Sequence, residues 1–162
     1  MVQYPRYEKV LFCTDFSENA DYAFEYAYGV AKRDRGLLYI LHVVPHNPNQ
    51  DFAEGLVKKE VLEKMHKAIE KDVHKKYQER YVQRMGNGVA FEIVTKYGRE
   101  DGEIIKFAKQ EKVDIIVMGS HGITGIARVY FGSVAEKVIR QSPYPVFTIP
   151  CKKKLEFAYG VS

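Results

Sequence analysis

Five short apolar runs, separated by longer stretches in which apolar residues recur every three or four positions, set out the plan of this chain. Lys9 to Cys13 is apolar after its first residue and ends at Thr14-Asp15-Phe16-Ser17, a strand followed by a turn. From Ser17 to Asp34 the positions Ala20, Ala23, Phe24, Ala27, Val30 and Ala31 predict an amphipathic helix, with Gly36 expected to close it. Leu37 to Val44 is nearly all apolar and Pro45 stops it. A long charged helix is predicted over 55–85, with Val57, Val61, Met65, Ile69, Val73, Tyr77 and Tyr81 forming one stripe at four-residue steps. Gly86-Asn87-Gly88 breaks it, and Val89 to Tyr97 alternates as a strand does. A helix over 100–111 through Ile104, Ile105 and Ala108 precedes Val113 to Met118, apolar except for Asp114. The last helix starts at Ser133, carries Val134, Val138 and Ile139 on one face and stops at Ser142-Pro143; the last strand is Val146 to Ile149. Strand and helix alternate throughout, so the fold class is α/β: right-handed crossovers, a parallel sheet and helices on both of its faces. In that architecture ligands collect at the carboxyl ends of strands, where the strand order reverses.

Two loops fall at such ends, 14–17 and 119–132. The second carries Gly119-Ser120-His121-Gly122 and, after nine intervening residues, Gly132-Ser133. The first amides of a helix have no intrahelical partner and sit at the positive end of its dipole, so an anion at the start of the 133 helix is stabilised twice. Ser133-Val134-Ala135-Glu136 reads as a capping box, with the Ser133 hydroxyl hydrogen left to donate to a phosphate. Gly119 and Gly122 lack a Cβ and tolerate positive φ, which suits a sharp turn that ligand atoms approach closely. Asp15 suits a ribose hydroxyl, and equally serves as a charge at the start of a helix. Val43 offers a nucleobase edge only its backbone, and by residue type is a core strand residue. There is no Gly-x4-Gly-Lys-Ser/Thr, so no P-loop lysine stands over the phosphates. Arg128, in the same loop as Thr124, has a charged donor's reach but reads as a solvated loop residue.

At 162 residues the chain fits one domain, taken as 1–150 with a tail over 151–162. Its net charge of +4 is spread along the long helix and Lys152-Lys153-Lys154, and no nucleic-acid motif accompanies it. Cys13 and Cys151 have no metal-ligand spacing, and the N-terminus has no secretory pattern, so a reduced, cytoplasmic setting is expected. No apolar run approaches the roughly 20 residues of a membrane span. His42, His46, His66 and His74 make no zinc set, and no Ser/His/Asp grouping stands out. His121 is the one neutral base inside the glycine loop. Residues 46–56 and the tail carry no readable motif.

Taken together, Cys13-Thr14-Asp15-Phe16-Ser17, Leu41-His42-Val43, the run ending at Met118, and Gly119-x2-Gly122-x9-Gly132-Ser133 resemble the universal stress protein family in its ATP-binding subclass, over about residues 6 to 150. The resemblance implies a three-layer, Rossmann-like fold with strand order 3-2-1-4-5. It also implies that Asp15 and Gly119 hold a ribose, that Val43 holds adenine through its backbone, and that Met118 lines the base pocket. Gly122, Gly132, Ser133 and Val134 would surround the phosphates of ATP, with Mg2+ or Mn2+ carried on those phosphates. A homodimer paired through the last strand is implied too; Pro145 and Pro150 would confine that pairing to the short piece between them. The function expected is an ATP-dependent regulatory switch in stress response, acting on an unknown protein partner. The alternatives are a slow ATP hydrolase or nucleotidyl transferase, and a dimeric interaction module that needs no nucleotide.

Overall fold

Parallel neighbours cannot be joined by a tight turn, so each strand must be followed by a crossover long enough to return to the starting edge. The computed structural model, which describes residues 1, 4–45, 59–121 and 131–151, uses a helix for every one. In chain order these are β1 (Lys9–Cys13), α1 (Glu18–Asp34), β2 (Leu37–Pro45), α2 (Lys59–Arg80), a single 3-10 turn (Val82–Arg84), β3 (Ala90–Gly98), α3 (Glu100–Glu111), β4 (Ile115–Gly119), α4 (Ser133–Gln141) and β5 (Val146–Ile149). All pairings are parallel and the sheet order is β3-β2-β1-β4-β5, as expected. No helix among the described residues is long and apolar enough to cross a membrane.

Right-handed crossovers divide the helices between the faces. On one face Val10, Phe12, Leu38, Ile40, Ile115 and Val117 lie under α1 and α2, whose Ala23, Phe24, Ala27, Val73 and Tyr77 are buried there with Tyr81. On the other face Leu11, Cys13, Leu41, Val43, Ile116 and Met118 lie under α3 and α4, through Ile104, Phe107, Ala108, Ala135 and Val138. Residues of one strand therefore alternate between two cores, which is why β1 and β4 read as unbroken apolar runs. In the first core Phe12 meets Tyr81 edge-on at 5.3 Å and Phe24 at 5.5 Å. Such ring pairs add about 0.5–1.5 kcal/mol each beyond the area they bury. Asp114, the polar residue ahead of β4, accepts the Lys9 N–H at 2.8 Å and so starts the pairing of β1 with β4.

Three expectations are corrected by the backbone. The residue that turns left-handed at the end of α1 is Arg35 (φ 56°), not Gly36. Gly36 is needed for a different reason: a Cβ there would run into the carbonyl oxygens of Tyr7 and Glu8. The long helix stops at Arg80, and residues 46–58 lie outside those described. Its stripe is buried at Val73, Tyr77 and Tyr81 and partly at Ile69, whereas Val61 and Met65 are 45% and 49% exposed. Tyr77 already lies past the middle of β2 and level with the middle of β3, donating to the Val94 carbonyl at 2.6 Å and accepting the His42 N–H at 2.9 Å, and the helix runs on from there back to its start at Lys59. The four-residue repeat thus outruns the sheet it packs on. Ile139, expected on the packed face of α4, is 40% exposed; Ala135 and Val138 are the buried pair.

The end of β4 is fixed by α1. Asn19, in the first turn of α1 and 7% exposed, donates through Nδ2 to the His121 carbonyl at 2.9 Å. Its carboxamide occupies the space beside Gly119, where a Cβ would lie 2.6 Å from Nδ2 and 3.1 Å from Cγ. Gly119 does not have positive φ, so its lack of a side chain, not an unusual backbone, is what this site uses. Gly119→Ala is expected to lower stability by about 1–3 kcal/mol in urea denaturation, because the amide must shift and give up its bond to His121. The double variant with Asn19→Ala is expected to cost less than the sum of the single changes; strict additivity would show that the two residues do not interact.

Candidate functional site

The winding of the sheet reverses between β1 and β4, and among the described residues no crossover covers the gap at their carboxyl ends. A cavity of about 310 Å³ opens there, and Asp15, Val43, Met118, Gly119, Gly132, Ser133 and Val134 all line it. Seven of the eight residues expected at a ligand site are thereby brought together from four separate segments. Gly122, with Thr124 and Arg128, lies outside the described residues. The floor is the α3/α4 side of the sheet, where Leu41, Val43 and Met118 meet Ile104 and Ala135. Such an apolar wall with a few convergent polar groups is what a small-molecule site requires.

One end of the cavity is the start of α4. Gly132, extended at φ −68° and ψ 156°, is the N-cap, and its carbonyl accepts the Glu136 N–H at 3.0 Å. Its own N–H donates to the Ser120 carbonyl at 2.7 Å, and Ser120 N–H in turn donates to the Ile149 carbonyl at 2.8 Å. This ladder sets the change from extended to helical backbone one residue earlier than expected. Ser133 is therefore the first helical residue and not the cap, and the capping box with Glu136 does not form; Glu136 pairs with Arg140 at 3.2 Å instead. Among the described residues no side chain caps α4. The N–H groups of Ser133, Val134 and Ala135 have no partner among the described residues, and these three residues line the cavity at the positive end of the helix.

The centre is the loop after β1. Thr14 Oγ1 accepts the Phe16 N–H at 2.9 Å, Asp15 Oδ1 accepts the Ser17 N–H at 3.0 Å, and Ser17, the N-cap of α1, accepts the Ala20 N–H at 3.2 Å. These bonds hold Phe16 in the left-handed region at φ 61°, which costs a non-glycine residue about 1–2 kcal/mol. Burial of its ring offsets the strain: the centroid lies 4.5 Å from His42 and 5.2 Å from Tyr77. His42 Nδ1 lies 2.8 Å from the Thr14 carbonyl, which can only accept, so Nδ1 carries the hydrogen and Nε2 the lone pair. Burial lowers the His42 pKa below its ordinary value, which keeps the ring neutral at pH 7.

The far end is β2. The Leu41 carbonyl accepts the Thr14 N–H at 2.9 Å, so Leu41 directs its backbone toward β1. Two residues on, Val43 directs its own N–H and C=O to the same side, past the point where β1 has ended. A strand residue with a ladder on one side and a cavity on the other can pair with the edge of a planar ligand.

Sequence reasoning missed Ser120, Asn19 and Glu100. Ser120 is 5% exposed and lines the cavity, its Oγ 2.7 Å from His121 Nδ1. Asn19 gave a signal: it is a polar residue four positions before Ala23 on the buried stripe of α1. Glu100 looks in sequence like any first-turn acid, and only the adjacency of β3 and β2 carries it to the cavity wall. Cys13 also lines the wall, but burial pushes its thiol far above the ordinary range, so it is an apolar surface and no nucleophile. No group of three or more His, Cys, Asp or Glu among the described residues is arranged to hold a metal ion. The arrangement as a whole accommodates an anionic group at α4, hydroxyls near Asp15 and a flat apolar group between Val43, Ile104 and Met118.

Comparison with known proteins places the chain. Residues 6–150 match the universal stress protein family. Universal stress protein MJ0577 of Methanocaldococcus jannaschii is 32% identical over 90% of this chain and 96% of its own length, and MJ0531 of the same organism is 34% identical over 91% and 85%. The solved structure of MJ0577 superposes with a TM-score of 0.73 at 30% identity, covering 91% of this chain and 99% of that one. A universal stress protein solved in complex with cAMP has a TM-score of 0.58 at 21% identity, covering 90% and 98%, a likeness of fold. Family profile, sequence and fold agree, and the chain belongs to the universal stress protein family.

Proposed function

We propose that this protein binds ATP in the cavity between β1 and β4 and acts as a nucleotide-dependent regulatory protein in stress response, working in the cytoplasm on a protein partner. The observation that carries the reading is the start of α4, where three backbone donors have no partner among the described residues, at a cavity with an apolar wall of Leu41, Val43, Ile104 and Met118. Ser133 and Val134 hold phosphate oxygens through their N–H groups, Ser133 adding its hydroxyl, with Gly132 and Gly122 leaving room for them. Asp15 and Gly119 hold the ribose, the Val43 backbone pairs with the adenine edge, and Met118 lies against the base. Mg2+ or Mn2+ is carried through the phosphates. Phosphate contacts at both ends of the 119–132 loop tie its conformation to the nucleotide, a local event that a partner can read. A second copy pairs through β5, the edge strand, where Phe147 is 41% exposed and packs edge-on against Tyr26.

One observation favours slow hydrolysis of the bound ATP as a second reading. His121 lines the same cavity with its ring tied to Ser120, next to the start of α4. A base in that position is within reach of a water near the terminal phosphate.

Magnesium-ATP at 100 times its dissociation constant is expected to stabilise the purified protein by about 2.7 kcal/mol, read as a rise in melting temperature; no rise at millimolar ATP contradicts the proposal. Ser133→Pro is expected to weaken ATP about tenfold or more with the melting temperature of the free protein unchanged. Proline is favoured at the first helical position and Gly132 already has the extended backbone that precedes it, so the change removes one N–H and one hydroxyl and leaves the helix intact. If phosphate release is detected after repurification, His121→Ala should abolish most of it while ATP still binds; release that persists assigns the activity to a contaminant.

A further inference from the structure

The cavity has one charged side chain that the nucleotide reading leaves without a task. Glu100 is the first residue of α3, half-buried, and lines the same cavity as Val43 and Pro45. Its place follows from topology. α3 begins where β3 ends, β3 is the neighbour of β2, and Gly98 pairs with Pro45 at the last position of their ladder. α4, by contrast, starts beside β4, through the Gly132 bond to Ser120. With strands about 4.8 Å apart, the β3 and β4 ends are separated by three spacings, on the order of 14 Å. Glu100 therefore stands at the opposite end of the cavity from the anion-holding amides, beyond Asp15 and beyond Val43. Glu100 forms no hydrogen bond or ion pair with the described residues, whereas its neighbour Asp101 pairs with Arg99 at 3.1 Å and Glu103 with Lys106 at 3.5 Å. His42, in the same strand as Val43, also lines this cavity.

A carboxylate accepts hydrogen bonds and donates none. At the end of the site that takes the base, it favours a ring bearing an exocyclic amino group and opposes one presenting a carbonyl oxygen in the same place. We infer that Glu100 is a specificity-determining residue that accepts a hydrogen bond from the 6-amino group of a purine, and so selects adenine nucleotides over 6-oxopurine nucleotides. The inference rests on the nucleotide reading of the cavity and adds to it the choice of base. The site is thereby polar along its length: amide donors at α4 for the phosphates, carboxylates at the middle and far end for groups that donate. A nucleotide bound in reverse would set phosphates against Glu100 and is opposed by repulsion.

The test compares ATP with inosine triphosphate, which carries a 6-oxo group and a hydrogen on N1 in place of the 6-amino group. Dissociation constants of both are measured by calorimetry on the nucleotide-free full chain and on Glu100→Gln. The wild type is expected to prefer ATP by about tenfold or more, the scale of one hydrogen bond to a charged group. Glu100→Gln, whose amide can donate to the oxo group, is expected to reduce that preference by about tenfold. Removing a negative charge strengthens binding of every triphosphate alike, so the ratio, not either affinity, is the readout. A preference unchanged in Glu100→Gln, with ATP still bound, overturns the role of Glu100 and leaves the nucleotide site standing. Failure of the wild type to bind ATP overturns both.

Discussion

The right-handedness of parallel crossovers is the constraint on which the rest depends. With β1 central, α1 and α2 must lie on one face and α3 and α4 on the other, and the carboxyl ends of β1 and β4 are left uncovered between them. β1 stops two residues short of the level of Val43, β4 stops at a glycine packed against Asn19, and α4 starts without a capping side chain among the described residues. The cavity is thus a consequence of the winding, and its chemistry is chiefly that of the main chain.

A site built from backbone donors has a particular weakness and a particular strength. Its donors cannot be altered by ordinary substitution, but they are only as well placed as the segments that carry them. Here the placement is heavily tied. Asn19 holds the His121 carbonyl, Ser120 is bonded on both sides to Gly132 and Ile149, and the loop after β1 is closed by Thr14, Asp15 and Ser17. Phe16 keeps a left-handed backbone beneath that loop because its ring is locked among His42, Tyr77 and Tyr81. The buried aromatic core and the polar cavity therefore meet at one residue. Strain at Phe16 is tolerated because the core over-determines it.

Much of this was legible in the sequence, for physical reasons. Strands buried on both faces leave unbroken apolar runs, so β1, β2 and β4 were found within a residue or two of their ends, and the glycine spacing marked the loop beside α4. What was not legible depends on single dihedrals or on how far a surface extends. Whether Gly132 or Ser133 caps α4 turns on one ψ angle, set by a hydrogen bond to Ser120 that no local pattern encodes. The same holds for Arg35 and Gly36 at the end of α1. Periodicity identified the buried face of α2 but could not say that the sheet gives out beneath it before Met65. Asn19 and Glu100 reach the site through neighbours distant in sequence, and only the strand order reveals them.

The central claim is that one ligand spans the cavity, with its anionic end on the first amides of α4 and its base at the end of β2. Amide chemical shifts in an isotope-labelled sample test it directly during titration with ATP and, separately, with adenosine. The account predicts that ATP moves the amide resonances of Val43 and of Ser133, Val134 and Ala135 together, and that adenosine moves Val43 while leaving the other three in place. Shifts confined to exposed lysine-rich segments, or the same response to both compounds at α4, would contradict it.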